Sequence, residues 1–199
     1  TFNSLNNGGT LSNGNLTFTG TTKGVLGTFG LDSGKYYWET TITASGANIT
    51  NSGNLTLTGT STTSTGVNIA NTNIVNNANL ILTGTSSSSY GLFGSTVSLT
   101  NSGNMSLMGQ STSSIGILLS ATNITTSASL NISGISGATS NAYGLQMLGT
   151  DTYNTTGAGT INVTASSGGG ASSVGLYLGG NQSFNAAGGD INLNQSITG

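Results

Sequence analysis

The sequence predicts an all-β protein: a right-handed parallel β-helix with three short strands in each coil of about 25–30 residues, preceded by an N-terminal aromatic cap segment. Three observations predict it. The chain repeats itself every 25 residues from position 48. Apolar residues come in pairs spaced by two, which is the period of a strand, and no stretch shows the apolar stripe of an amphipathic helix. We therefore divide the chain into residues 1–47, the cap or first coil segment, and residues 48–199, the repeat rod.

Each repeat carries three apolar points: a single residue, then an alternating pair, then a second pair that follows a glycine. In the first repeat these are Ile49, Leu55 with Leu57, and Val67 with Ile69. The single residue recurs as Ile49, Ile74, Leu99, Ile124, Tyr153 and Phe184. Strands this short are stable only when stacked, so equivalent residues should form columns with strands about 4.8 Å apart. Parallel crossovers are nearly always right-handed, and we expect that hand.

Glycine and asparagine recur at fixed places in the repeat. Gly59 follows the second strand and Gly66 opens the third, and both have equivalents in later repeats. A corner often needs a positive φ, which glycine adopts without penalty, so we expect corners at these glycines. Asn54 and Asn104 come just before strand residues that should be buried. We expect them to form stacked amide ladders between repeats.

Composition excludes several functions. The 199 residues hold 2 basic and 4 acidic side chains and neither Cys nor His. Without a cationic face the chain cannot neutralise phosphates, so no nucleic-acid partner is expected. Lack of His and Cys removes nearly all zinc sites, thiol nucleophiles and His-based triads. The acids Asp32, Glu39, Asp151 and Asp190 are scattered, so we predict no catalytic residues, no metal and no cofactor. No apolar run is long enough for membrane insertion.

The segments NLTLTGTS (54–61), NITTSASLNISG (123–134) and AGGDINLNQSITG (187–199) resemble coils of filamentous-haemagglutinin-type exoproteins. That family includes the high-molecular-weight adhesins that Gram-negative bacteria export by two-partner secretion. The resemblance covers about residues 48–199. It implies a right-handed parallel β-helix, a place outside the cell or on its surface, and attachment to a host-cell or surface receptor, either glycan or protein. It implies no catalysis.

We therefore expect a structural, adhesive segment of a secreted bacterial surface protein, which attaches by itself or presents a binding tip. The alternative is a phage tail-fibre or extracellular filament subunit without catalytic activity. In both cases further coils of the same chain or another subunit should continue the stack, because an end coil leaves its apolar columns uncovered.

The N-terminal segment differs from the repeats. Residues 24–43, GVLGTFGLDSGKYYWETTIT, resemble the opening strands of SPRY domains. We interpret the segment as a cap over the first coil, since bulky aromatic and charged side chains can cover its apolar columns. The functional alternative is a sugar-binding platform formed by Tyr36, Tyr37 and Trp38.

Asn-X-Ser/Thr sequons are the last candidate sites. There are ten: Asn15, Asn48, Asn54, Asn104, Asn123, Asn131, Asn154, Asn162, Asn181 and Asn194. With 25 Asn and 64 Ser or Thr in 199 residues, chance alone gives a similar number. The count therefore does not indicate glycosylation, which only the family resemblance suggests.

Overall fold

The computed structural model describes residues 10–12, 17–19, 47–138 and 140–198. The chain divides into two compact units, Thr1–Gly34 and Lys35–Gly199. The described residues are all-β and contain no helix. The described residues therefore contain no helix that could cross a membrane. In the first unit, β1 (Thr10–Ser12) and β2 (Thr17–Thr19) form an antiparallel pair.

The second unit consists of two parallel sheets. The nine-stranded sheet contains β3 (Asn48–Asn51), β5 (Val67–Asn68), β6 (Asn73–Asn76), β8 (Leu92–Asn101), β10 (Ile117–Thr126), β12 (Tyr143–Leu148), β13 (Thr150–Thr155), β15 (Val174–Leu178) and β16 (Asn181–Ala186). The six-stranded sheet contains β4 (Leu55–Ser61), β7 (Leu80–Ser86), β9 (Met105–Ser111), β11 (Leu130–Ser136), β14 (Ile161–Gly168) and β17 (Ile191–Thr198). In the six-stranded sheet, each strand pairs with the equivalent strand of the next repeat.

The register confirms the predicted columns. One column of the six-stranded sheet runs Leu55, Leu80, Met105, Leu130, Ile161 and Ile191. In the nine-stranded sheet the predicted single residues also form one column, in which each is the register partner of the next: Ile49, Ile74, Leu99, Ile124, Tyr153 and Phe184. The repeats therefore stack without a shift, even where they lengthen. This arrangement of many-stranded parallel sheets is compatible with a parallel β-helix.

The core lies between the two sheets and is formed by these columns. Ile74, Leu99 and Ile124 from one sheet and Leu80 and Leu107 from the other are at most 1% exposed and belong to one apolar cluster. Alternate residues point outwards, and most of them are Thr, Ser or Asn. A repeat buries its apolar side chains only when the next one covers them, which makes stacking the main source of stability.

The bend after the third strand differs from the prediction. In the middle repeats the third strand continues into the first strand of the next repeat, giving β8 and β10 of 10 residues each. Each bends at one residue with positive φ: 55° at Thr96 and 54° at Ala121. Asn71 and Gly149 have positive φ at the equivalent bends.

The conformational reason given for the predicted corner glycines is therefore wrong. Among the described glycines only Gly149 and Gly180 have a positive φ. The predicted corner glycines are needed because backbones approach closely there: a Cβ on Gly91 would overlap the Gln110 nitrogen, and one on Gly59 would overlap the Gly66 carbonyl. Glycine is required at these corners for lack of space.

Two buried polar ladders hold the ends of the strands. Asn51 Nδ2 donates to Asn76 Oδ1 and Asn76 Nδ2 to Asn101 Oδ1, both at 2.7 Å. The second ladder lies at the C-terminal ends of strands in the six-stranded sheet. At the end of β7, Ser86 Oγ donates to the Ser64 carbonyl of the preceding repeat at 2.6 Å and accepts from Ser89 N in its own loop. Each repeat thus fixes its loop to the one before it, and the buried amide of Asn76 and hydroxyl of Ser86 are satisfied.

The amide ladder predicted at Asn54 and Asn104 is wrong. Asn54 Oδ1 accepts from the backbone N–H of Asn79 at 3.2 Å, and Asn104 Oδ1 accepts from that of Ser129 at 3.2 Å. These exposed side chains bond to backbone of the next repeat. The ladder between amides lies three residues earlier, in the column of Asn51.

Candidate binding surface

An aromatic surface lies on the outside of the nine-stranded sheet, along the third strand of each repeat. Because neighbouring side chains alternate, the residue after each inward leucine or isoleucine faces outwards. The ladder puts these outward residues in one column: Asn68, Phe93, Leu118, Gln146 and Tyr177. Tyr177 is 41% exposed, Phe93 is half-buried, and Leu118 is covered.

A second column lies beside the first, just before the glycine that opens each third strand. It contains Tyr90, Ile115, Tyr143 and Val174, all half-buried. Backbone hydrogen bonds connect their repeats: Gly91 N donates to the Ile115 carbonyl at 3.1 Å and Gly116 N to that of Tyr143 at 3.0 Å. Together the two columns make an apolar strip on a face that is elsewhere polar.

Four rings dominate this strip, and we call Tyr90, Phe93, Tyr143 and Tyr177 the aromatic band. The Tyr90 and Phe93 rings are stacked, with centroids 5.5 Å apart and an angle of 21°. Tyr143 and Tyr177 meet edge to face, also with centroids 5.5 Å apart. Tyrosine combines an apolar ring with a hydrogen-bonding hydroxyl. The band therefore combines partly exposed ring surface with hydroxyl groups that can form hydrogen bonds.

The surroundings of the aromatic band are uncharged. The chain has no Lys, Arg or His after Lys35, and the described acids are Asp151, which is fully buried, and Asp190. Attraction between opposite charges can therefore contribute little to binding here. The chemistry of the surface suits a neutral ligand that stacks on rings and accepts or donates hydrogen bonds.

The opposite face, outside the six-stranded sheet, is mostly polar. Asn162 Nδ2 donates to Asn131 Oδ1, and Asn192 Nδ2 to Asn162 Oδ1, each at 2.9 Å, so these exposed amides form a second ladder. Single apolar side chains interrupt this face; Ile135 is 43% exposed. No described pair of rings lies on this face.

The predicted aromatic platform of Tyr36, Tyr37 and Trp38 lies outside the described residues, as do the SPRY-like segment and the sequon at Asn15. Seven of the other sequon asparagines are exposed: Asn48, Asn54, Asn104, Asn123, Asn131, Asn181 and Asn194. Asn154 and Asn162 are half-buried. Asn162 Nδ2, the atom to which a glycan would be attached, already donates to Asn131 Oδ1, so a glycan on Asn162 would disturb this amide ladder.

The three apolar points of each repeat do not include the aromatic band. Phe93 and Tyr177 stand between the paired residues of the third strand, and Tyr90 and Tyr143 stand before its glycine. A signal was present, because Tyr90, Ile115 and Tyr143 occupy equivalent places just before a glycine. Three bulky residues at one outward position of a chain rich in Ser and Thr indicate a special surface.

A buried polar cluster lies just after the bend that joins the third strand of one repeat to the first strand of the next. The Asp151 carboxylate accepts from Thr122, whose hydroxyl is also hydrogen-bonded to that of Tyr153 at 3.3 Å. Burial raises the pKa of the Tyr153 phenol above its ordinary range; the nearby Asp151 charge adds to this rise, and the Thr122 hydrogen bond partly offsets it. The described residues contain no group of three or more His, Cys, Asp or Glu able to hold a metal ion.

The fold and its surface define an all-β protein of stacked parallel strands with a neutral, partly aromatic outer face. Comparison with models of protein families, with curated proteins and with solved structures gives no match.

Proposed function

We propose that this chain is a structural and adhesive segment of a secreted bacterial surface exoprotein. In this proposal residues 48–199 wind as a right-handed parallel β-helix with three strands per coil, and form a rod that carries a binding surface. The observation that carries the proposal is the unbroken register of equivalent residues from Leu55 to Ile191. A stack of this kind extends in one direction and presents the same outer positions again and again.

The side of the rod would supply the adhesive contact. The aromatic band places Tyr90 and Phe93 on one repeat and Tyr143 and Tyr177 on two later adjacent repeats, and parallel strands are about 4.8 Å apart. Such spacing lets an extended ligand contact several repeats at once. A glycan chain on a host cell or other surface has the required chemistry, since the C–H faces of its sugars pack on rings and its hydroxyls bond to tyrosine and Gln146. A receptor protein would have to present a neutral, extended surface.

The test is a glycan array together with a cell-binding assay on the whole chain. Beside the wild type we would measure the double variant Tyr143→Ala/Tyr177→Ala. As a matched control, Ile135→Ala removes an exposed apolar side chain from the opposite face. We expect the double variant to bind about 10-fold more weakly or worse, as central aromatic contacts do when truncated. The control should bind as the wild type does, and circular dichroism melting should show that all three chains fold.

A fourth variant, Trp38→Ala, separates the aromatic band from the N-terminal platform. Loss of binding in Trp38→Ala alone would move the site to residues 36–38 and contradict the role of the band. Absence of binding by the folded wild type would contradict adhesion and leave a rod that only spaces other segments.

A further inference from the structure

A groove of about 320 Å³, which we call the bend groove, lies on the surface where the third strand of one repeat bends into the first strand of the next. It spans three successive bends, with Asn71 and Asn73 at the first, Thr96 and Ser98 at the second and Ala121 at the third. The left-handed residues Asn71, Thr96 and Ala121 have φ angles of 51°, 55° and 54°. The volume of the bend groove is at the lower end of the range for small-molecule sites, about 300–1,000 Å³.

The bend groove has an apolar floor and a polar rim. Val97, which is 4% exposed, forms the floor, and Ala121 adds a methyl group at one end. The rim carries two amides and two hydroxyls, those of Asn71, Asn73, Thr96 and Ser98. None of these four polar side chains is hydrogen-bonded to the described part of the chain. The rim therefore has donors and acceptors that a ligand can use.

Thr96, in the middle of the bend groove, is held in a strained conformation. A β-branched residue rarely adopts a positive φ. Residues kept in such conformations by their surroundings cluster at active sites and ligand-binding sites. The strain at Thr96 is a second observation, independent of the shape of the groove, that favours a binding site here.

The bend groove suits a neutral ligand with several hydroxyl groups. No Lys, Arg or His occurs among residues 36–199, so a carboxylate, sulfate or phosphate of a ligand would find no basic partner in this part of the chain. A sugar unit has C–H groups that would pack on Val97 and Ala121, and hydroxyls that would bond to the polar side chains of the rim.

One strand connects the bend groove to the aromatic band. β8 carries Phe93 of the band and both Thr96 and Ser98 of the groove. Phe93 and Thr96 are three residues apart, which is about 10 Å along an extended strand. We propose that the bend groove is a second subsite for a neutral glycan, so that one oligosaccharide contacts the band with one part and the groove with another. This inference rests on the proposed function.

The bend groove is shallow, so a single sugar unit should bind there only with a dissociation constant of about 1 mM. A longer oligosaccharide that also contacts the aromatic band should bind more tightly, because the second contact forms within the same complex.

The experiment measures binding of the whole chain to neutral glycans on an array and to the sialylated forms of the same glycans. Asn73→Ala removes one amide from the rim and should weaken binding about 3–10-fold. Ser98→Trp fills the bend groove and should weaken binding more than Asn73→Ala does. The matched controls are Asn123→Ala and Asn123→Trp, because Asn123 is exposed and continues the column of Asn73 and Ser98 outside the groove. Both controls should bind as the wild type does.

Circular dichroism melting shows which variants fold, and Asn73→Ala keeps the test valid if Ser98→Trp does not. If the wild type binds neutral glycans and the folded groove variants bind them as well as their Asn123 controls do, the bend groove is not a subsite, while the proposed function stands. Preference of the wild type for the sialylated forms would also overturn a neutral subsite. Absence of any glycan binding by the folded wild type would contradict the proposed function together with this inference.

Discussion

Thr96 shows how a single residue bends the chain. Its φ of 55° lies in the left-handed region, which a β-branched side chain rarely adopts. The equivalent residue one repeat earlier is Asn71, with a φ of 51°. Asparagine tolerates this conformation far better, because its short polar side chain bonds locally. The stacked strands on both sides therefore hold Thr96 in this left-handed conformation, against the backbone preference of threonine.

We predict that Thr96→Asn stabilises the protein. Relief of the left-handed threonine should raise the free energy of unfolding by about 1 kcal/mol, and the melting temperature by about 2–4 °C. The measurement is thermal and urea unfolding followed by circular dichroism.

The matched control is Thr100→Asn, at an exposed position of β8 with extended backbone. It should leave stability unchanged or lower it slightly, since asparagine is a poorer strand former than threonine. Equal shifts in both variants would mean that the backbone at Thr96 stores no strain.

The buried amide ladder stabilises the nine-stranded sheet at the level of the element. Asn76 is 0% exposed. It accepts from Asn51 and donates to both Asn101 Oδ1 at 2.7 Å and the Ala78 carbonyl at 2.8 Å. Three repeats are thus joined through one side chain. The same column continues with Thr126 and Thr155, and the hydroxyl of Thr155 donates to the Gly159 carbonyl of its own repeat at 2.9 Å.

Asn76→Ala should destabilise the protein by about 3 kcal/mol, because Asn101 Oδ1 and the Ala78 carbonyl lose their donor in a buried place. Asn77→Ala, at the exposed neighbouring position, should change the free energy of unfolding by less than about 0.5 kcal/mol. Asn76→Thr should cost less than Asn76→Ala, since threonine serves this column two repeats later. Urea midpoints give all three values. If Asn76→Ala and Asn77→Ala cost the same, the ladder contributes nothing measurable.

The columns could be predicted from the sequence because the repeat length is constant. From position 48 to 122 the repeats are 25 residues long without gaps, so equivalent residues of neighbouring repeats can pair in only one register. A slip of a strand by one residue would turn its apolar side chains outwards. Tyr153 and Phe184 were placed correctly in the longer repeats because they precede the next apolar pair by a similar distance. Their rings stack at 4.9 Å inside the core.

The buried amide ladder of Asn51, Asn76 and Asn101 and the aromatic band could not be predicted from the repeat spacing. With 25 asparagines in the chain, composition does not say which column turns inwards, and Asn51 differs from Asn54 only in its position relative to the bend. The sequence pattern does not distinguish an outward aromatic residue such as Phe93 from a core residue when it stands beside an inward leucine. Thr96 and Ala121 gave no sign of a left-handed bend, since neither is a residue that usually adopts one.

At the scale of the whole molecule, charge is nearly absent and one buried phenol dominates the response to pH. The chain has no histidine to titrate near neutrality. Tyr153 is 0% exposed, and burial raises its pKa above the ordinary 10.0. The native protein therefore keeps the phenolic proton at a pH where the unfolded chain has lost it. This contribution to stability is complete below about pH 10 and is lost as pH rises above it.

We predict that the free energy of unfolding falls above about pH 10, by up to about 1.4 kcal/mol per pH unit from this one group. Tyr153→Phe lacks the ionisable hydroxyl and should show a shallower decline, although the loss of the Thr122 hydrogen bond lowers its stability at neutral pH. Tyr177→Phe, at a 41% exposed position, should decline as the wild type does. Urea unfolding of the three chains between about pH 8 and 12 measures the slopes. A Tyr153→Phe chain with the slope of the wild type would show that the buried phenol does not control alkaline unfolding.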